Sequence, residues 1–377
     1  MTNPADEVNA ALAGAPLVDG HCHSILLGDP DPAAFALAAT EADVAPPPGI
    51  SLLDGQLGLA IRRWCAPVLG LPAGIPMDEY LARRAELGAA EVNQRLLAAA
   101  NLSHVLVDTG LDGPELASPD ELGRLAGAEV RSVVRLERVA EQLADRGVSA
   151  YGFASAYRAA LAEATRDAVA TKSVLAYRHG FDVDHTRPSP TAVRVAAGRW
   201  LAREGPARLD EPVLLRFVLW CAIDRGLPLQ IHAGFGDRDL RLAASDPSLL
   251  QGFLAAAEPS GVPIVLLHCY PFHRQAGWLA QVFPRVSVDM GLTVAQVGAR
   301  AEAVLAEFCE LAPFGKLLFS TDGYALPELF LVGAAQFRHS LGRLLTTWVA
   351  DGALPAADAT RVATMIAGAN ARRLYRL

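Results

Sequence analysis

The chain has 377 residues, 52% of them apolar and 20% charged, with a formal net charge of −8. That composition supports a large buried core and argues against disorder, and the negative balance without a long basic run makes nucleic acid or an anionic membrane a poor partner. Five scattered cysteines (Cys22, Cys65, Cys221, Cys269 and Cys309) form no C-x-x-C pair, so a disulfide framework is not expected and a reducing, cytoplasmic setting is.

The N-terminal stretch MTNPADEVNAALAGAP lacks the basic start and apolar centre of a secretory signal. A first strand, PLVDGH (16–21), leads into His21 and His23. Alternate side chains of a strand share a face, so both imidazoles point one way with Asp19 beside them, and Cys22 points the other. Two neutral imidazoles side by side suit a shared metal, although H-x-H by itself is an unspecific motif. Residues 24–102 are too long for a simple connection and carry APPPG, an apolar stretch around Trp64 and a helix near 77–100.

Further buried strands follow at 103–110, 128–137, 168–176, 227–234, 262–270, 285–291 and 316–323, eight in all. Helical patterns at 139–146, 153–166, 210–225, 247–258, 273–282 and 294–311 alternate with them, and two more at 326–347 and 355–375 close the chain. Strand–helix alternation with eight strands predicts a (β/α)8 TIM barrel with helical insertions after strands 1 and 4, residues 24–102 and 177–226; an open doubly wound sheet is the alternative. The whole chain, 1–377, reads as one barrel domain. The insertions read as a partial lid, or else as peripheral decoration or a dimer surface.

Polar residues fall at the predicted strand ends: His21 and His23 after the first, Lys172 in the fourth, His232 after the fifth, His268 after the sixth and Asp322 after the eighth. In a barrel all would converge on one axis. Lys172 also admits a surface-turn placement, which would leave a mononuclear site of His21, His23, His232 and Asp322.

The ordered set DGHCH, a strand lysine, IHAG, LHCYPFHRQAGWLA and STDG resembles the amidohydrolase superfamily of metal-dependent barrel hydrolases. KSVLAYRHG, LLHCYPFHRQAG and LLFSTDGYALPELF are similar to its branch containing the amidohydrolase half of FluG-type proteins. The resemblance implies two divalent ions, zinc before iron or manganese. His21 and His23 would bind the more buried ion, a carboxylated Lys172 would bridge, His232 and His268 would bind the other, and Asp322 would touch the first. A carbamate would turn a costly buried lysine into an anionic oxygen ligand.

The expected activity is hydrolysis of an amide or related acyl bond, thioesters included, by a metal-bound hydroxide with Asp322 as general base. His273 is a candidate for oxyanion stabilisation. Tyr177, Arg178, Tyr270, Arg274, Tyr324 and Glu328 are candidates for gripping a small-molecule substrate, either arginine as a bidentate fork for a carboxylate. Arg274 and Glu328 forming a structural ion pair is the competing reading, and Trp64 with its aliphatic neighbours is the candidate receptor for an apolar group. Two rivals stand beside hydrolysis: a one-metal non-oxidative decarboxylase on the same barrel, and a non-catalytic metal-binding scaffold suggested by the glutamine-synthetase-linked context of FluG-type proteins. Homo-oligomerisation is left open.

Overall fold

The computed structural model describes residues 4–111 and 113–377; residues 1–3 of the N-terminal stretch lie outside them, and a helix begins at Pro4. Eight strands follow one another in order in one sheet: β1 Leu17–Cys22, β2 Leu102–Asp108, β3 Glu129–Arg135, β4 Ala170–Ser173, β5 Leu229–Ala233, β6 Ile264–His268, β7 Val286–Asp289 and β8 Leu317–Leu318. With helices between them they form a (β/α)8 barrel. β1 pairs with β2, and β3 through β7 pair in succession, all in parallel. β5 and β6 are buried along their whole length, as parallel strands covered on both faces must be. That double burial explains why they read as continuous apolar runs rather than alternating ones.

The chain folds as two compact units, one holding residues up to Val107 with Leu111–Arg131 and Asp289–Leu377, the other Asp108–Gly110 and Ser132–Val288. In the first, the residues after β1 build a helical layer. Helices Gln56–Val68, Met77–Leu87 and Ala89–Ala100 bury Leu57, Ile61, Cys65, Tyr80, Val92 and Leu96 against Leu329 and Val332 of helix Pro327–Ala350. The single helix expected over 77–100 is two, because Gly88 takes φ +77°, a left-handed value open to glycine, and turns the chain between them. Trp64 packs at the edge of this core and donates Nε1–H to Gln336 Oε1 at 3.0 Å, so its ring serves helix packing. Arg338 of the long helix donates to the carbonyls of Leu12, Ala15, Ala100 and Asn101, satisfying the ends of two other helices.

In the second unit, helices Leu136–Asp145, Phe153–Ala164, Pro190–Leu201 and Pro212–Arg225 surround an aromatic cluster of Phe153, Tyr157, Trp200 and Phe217. β4 stops at Ser173 and the chain turns at once into the short helix Leu175–Arg178. Two expected helices are interrupted: 294–311 becomes Thr293–Gln296 and Ala301–Phe308, and 355–375 carries a π turn at Met365–Ala369. No helix among the described residues is long and apolar enough to cross a membrane.

Candidate metal centre

In the first unit, the ends of β1 and β8 are stitched together by backbone bonds from Gly20 N to Phe319 O (3.0 Å), Asp322 N to His21 O (3.0 Å) and His23 N to Gly323 O (2.8 Å). Gly20 allows this approach, since a Cβ there would meet Phe319 O at 3.1 Å. The stitching brings three side chains to one point. His21 Nε2 and His23 Nε2 lie 3.3 and 3.5 Å from Asp322 Oδ1. The donor atoms of His21, His23 and Asp322 are all within 4.8 Å of one another.

This spacing suits a divalent ion. Bonds of about 2.0–2.1 Å in a tetrahedron put neighbouring ligands about 3.3 Å apart, close to the two observed separations. Two imidazole nitrogens and a carboxylate oxygen are the donors zinc and its first-row neighbours take. Cys22 is not in the group; its Sγ faces Leu106 O at 3.7 Å, as strand alternation requires.

Asp322 takes φ +52°, a left-handed conformation in which asparagine and aspartate are the tolerated non-glycine types. Asp19 supports the bend behind it. Its carboxylate accepts from Thr321 N at 2.9 Å and Thr321 Oγ1 at 2.5 Å. Burial pushes the Asp19 carboxyl up to about 8, the Thr321 bonds oppose this, and the nearby Asp289 charge adds to the rise. Asp289, at the end of β7, accepts from Ser320 Oγ and Gly291 N, both at 2.8 Å. Tyr324, partly exposed, sets its ring edge-on to His23 at 5.9 Å.

The second unit carries the other expected ligands. Lys172 lies on β4 and is buried, not at a surface turn. His232 and His268 end β5 and β6 with ring centroids 4.7 Å apart. His232 Nε2 is 3.1 Å from Phe235 O; a carbonyl only accepts, so this nitrogen carries the proton and Nδ1 holds the lone pair. Histidine ligands are commonly oriented by such a bond from the second ring nitrogen. His268 and Cys269 take φ +64° and +66°, two consecutive non-glycine residues in the left-handed region. Backbone strain of this kind concentrates at functional sites.

Around them, Tyr177 packs on His232 at 4.6 Å, Tyr270 stacks on the buried His273 at 5.5 Å, and Arg274 is exposed. Arg178 is held by Glu141 at 3.0 Å. Glu328 requires a correction. It is fully buried in the first unit, where it accepts from Tyr80 OH and Arg84 Nε, both at 2.8 Å, so it is not a rim residue and its ion pair is with Arg84.

Other strand-end residues escaped the reading of the sequence. Asp108 at the end of β2 receives Arg135, at the end of β3, through Nε at 3.0 Å and Nη2 at 2.8 Å. Glu137, two residues further on, is fully buried. The signal was present: VLVD and VSVD end apolar runs in aspartate just as PLVD does.

The family model described as Amidohydrolase matches residues 112–377, and the chain belongs to that family. It is similar to the protein fluG of Emericella nidulans, 29% identical over 96% of this chain and 46% of that protein, so it spans about half the length of this curated relative. Among solved structures it is similar to a Lactobacillus casei protein carried as an inferred metal-dependent hydrolase, with a TM-score of 0.84 and 26% identity over 98% of this chain and 97% of that one. A uronate isomerase of Bacillus halodurans matches with a TM-score of 0.67 at 15% identity, over 100% of this chain and 97% of that one, a likeness of fold.

Proposed function

We propose that the chain is a metal-dependent hydrolase that cleaves an amide or related acyl bond, thioesters included, in a small molecule. The observation that carries this is the group of His21, His23 and Asp322, three donors of ion-binding chemistry held within 4.8 Å at strand ends of a barrel. Membership of the amidohydrolase family and likeness to the inferred metal-dependent hydrolase support it.

A bound divalent ion supplies Lewis acidity, acidifying a water and polarising a carbonyl. His21, His23 and Asp322 would hold one such ion. His232, His268 and a carbamylated Lys172 would hold a second, with zinc the first choice and iron or manganese the alternatives. Asp322 takes the proton from the attacking water and passes it to the leaving group. His273 steadies the charge that develops on the acyl oxygen. Tyr177, Tyr270 and Tyr324 bind the substrate body. Arg178, which Glu141 holds at 3.0 Å, and Arg274 are the cations available to a substrate carboxylate.

The rival is a one-metal decarboxylase, favoured by the fact that the one close donor group among the described residues is His21, His23 and Asp322. Elemental analysis after growth with ample metal and bicarbonate separates the two. Two ions per chain together with turnover in a panel of amides, esters and thioesters is the expected result. One ion per chain, with carbon dioxide released from a carboxylic acid panel and no acyl cleavage, would replace hydrolysis by decarboxylation.

A further inference from the structure

Beside Lys172 on β4, a buried carboxyl on the neighbouring helix is hydrogen-bonded to the next two residues of the chain. Glu137 lies in the first turn of helix Leu136–Asp145 and is fully buried. Its Oε1 accepts from Ser173 Oγ at 2.7 Å and from Val174 N at 3.0 Å. Ser173 Oγ in turn accepts from Leu175 N at 3.1 Å, at the start of the short helix that carries Tyr177. Glu137 Oε2 is buried and has no hydrogen-bond partner among the described residues.

Burying a carboxyl group with one oxygen unused is unfavourable in an apolar setting. Burial accordingly raises the Glu137 carboxyl above the usual range, while the Ser173 bond and the Arg178 and Arg135 charges oppose it. Holding a turn does not require an acid at that depth. The location of the turn supplies a reason: it begins one residue after Lys172.

β4 has only four residues, paired in parallel with β3 and β5, and Ser173 is its last. Neighbouring side chains of a strand point to opposite sides, and a slip of one residue exchanges them. Tying Ser173 to Glu137 on the helix side therefore commits Lys172 to the other side.

We infer that Glu137 is a positioning residue for Lys172, fixing the facing of β4 and the turn after it so that the lysine amine can become a carbamate and hold an ion. This deepens the proposed function and rests on it.

The test compares wild type with Glu137→Ala, Glu137→Gln and Ser173→Ala, each confirmed folded by its circular dichroism. Protein equilibrated with ¹³C-bicarbonate is read by carbon NMR for a lysine carbamate, and zinc affinity is measured by competition with a chelator. Folded Glu137→Ala is expected to lose the carbamate signal and to bind zinc about 10–100-fold more weakly, the usual effect of removing a group that orients a ligand. Glu137→Gln keeps an acceptor at Oε1 and should restore most of both; Ser173→Ala, which leaves the Val174 bond, should fall between. Wild type with the signal and folded Glu137→Ala with the same signal and affinity would overturn the inference. Wild type with no carbamate would instead overturn the assignment of Lys172 on which it stands.

Discussion

Arg84 and Glu328, 244 positions apart, form a buried ion pair with Nε 2.8 Å from Oε1. Arg84 also pairs with Asp29, and Tyr80 OH donates to the same Glu328 oxygen. The pair joins helix Met77–Leu87 of the long insertion to the first turn of helix Pro327–Ala350, a few residues after Asp322. With side-chain exposures of 3% and 0%, removing Arg84 strands the Glu328 carboxylate in the interior, whereas Asp29, at 30%, keeps contact with water.

Arg84→Met is therefore expected to destabilise the chain by about 3–5 kcal/mol, and Arg84→Met with Glu328→Leu by clearly less, because the double change leaves only the part-exposed Asp29 without its partner and no fully buried charge. Urea unfolding of the single and double variants checks this. Equal losses in both would show that packing, and not the pair, carries the effect.

Asp322→Asn separates proton transfer from metal binding. Asparagine accepts the left-handed backbone at this position and keeps an oxygen donor, but it is no base. The variant should retain most of its metal and lose about 10²–10⁴-fold in turnover, the usual worth of a positioned acid–base group. Cys22→Ser, which alters the opposite face of β1, should leave turnover near wild type. Full turnover in a metal-loaded Asn variant would move the base role to His273.

Metal removal should be visible in stability. An ion that binds the folded chain alone adds about 2.7 kcal/mol at a free concentration 100-fold above its Kd. Dialysis against chelator should lower the melting temperature, zinc should restore it, and His21→Ala should abolish the restoration in proportion to the ion it loses. A melting curve indifferent to zinc and chelator would contradict a metal centre at His21, His23 and Asp322.

Glu137 sets the sign of one pH effect. Its carboxyl is raised in the folded chain above its ordinary value of 4.5, so the protonated form is favoured on folding. The related stability is present in full below that ordinary value and is lost as pH climbs through the raised folded value. Glu137→Gln, which cannot ionise, should therefore gain in stability relative to metal-free wild type as pH rises above 4.5. A stability difference that stays flat over that range would show that Glu137 ionises as readily folded as unfolded.

What could be read from the chain alone followed from local periodicity. Parallel strands buried on both faces become apolar runs, which made strands such as β5 and β6 legible, while β3, exposed at its start, showed only a short apolar centre. The strand period of two puts His21 and His23 on one face and Cys22 on the other. The family motifs added Lys172, His232, His268 and Asp322 as strand-end residues. Tertiary structure decided the rest. No local pattern says that Glu328 meets Arg84, that Asp19 takes the backbone of Thr321, or that Glu137 reaches Ser173, since each partner is chosen by which elements the fold packs together. The same holds for backbone conformation: that His268 and Asp322 adopt left-handed φ values, and that Gly88 splits a helix in two, follows from surrounding contacts that outweigh local preference.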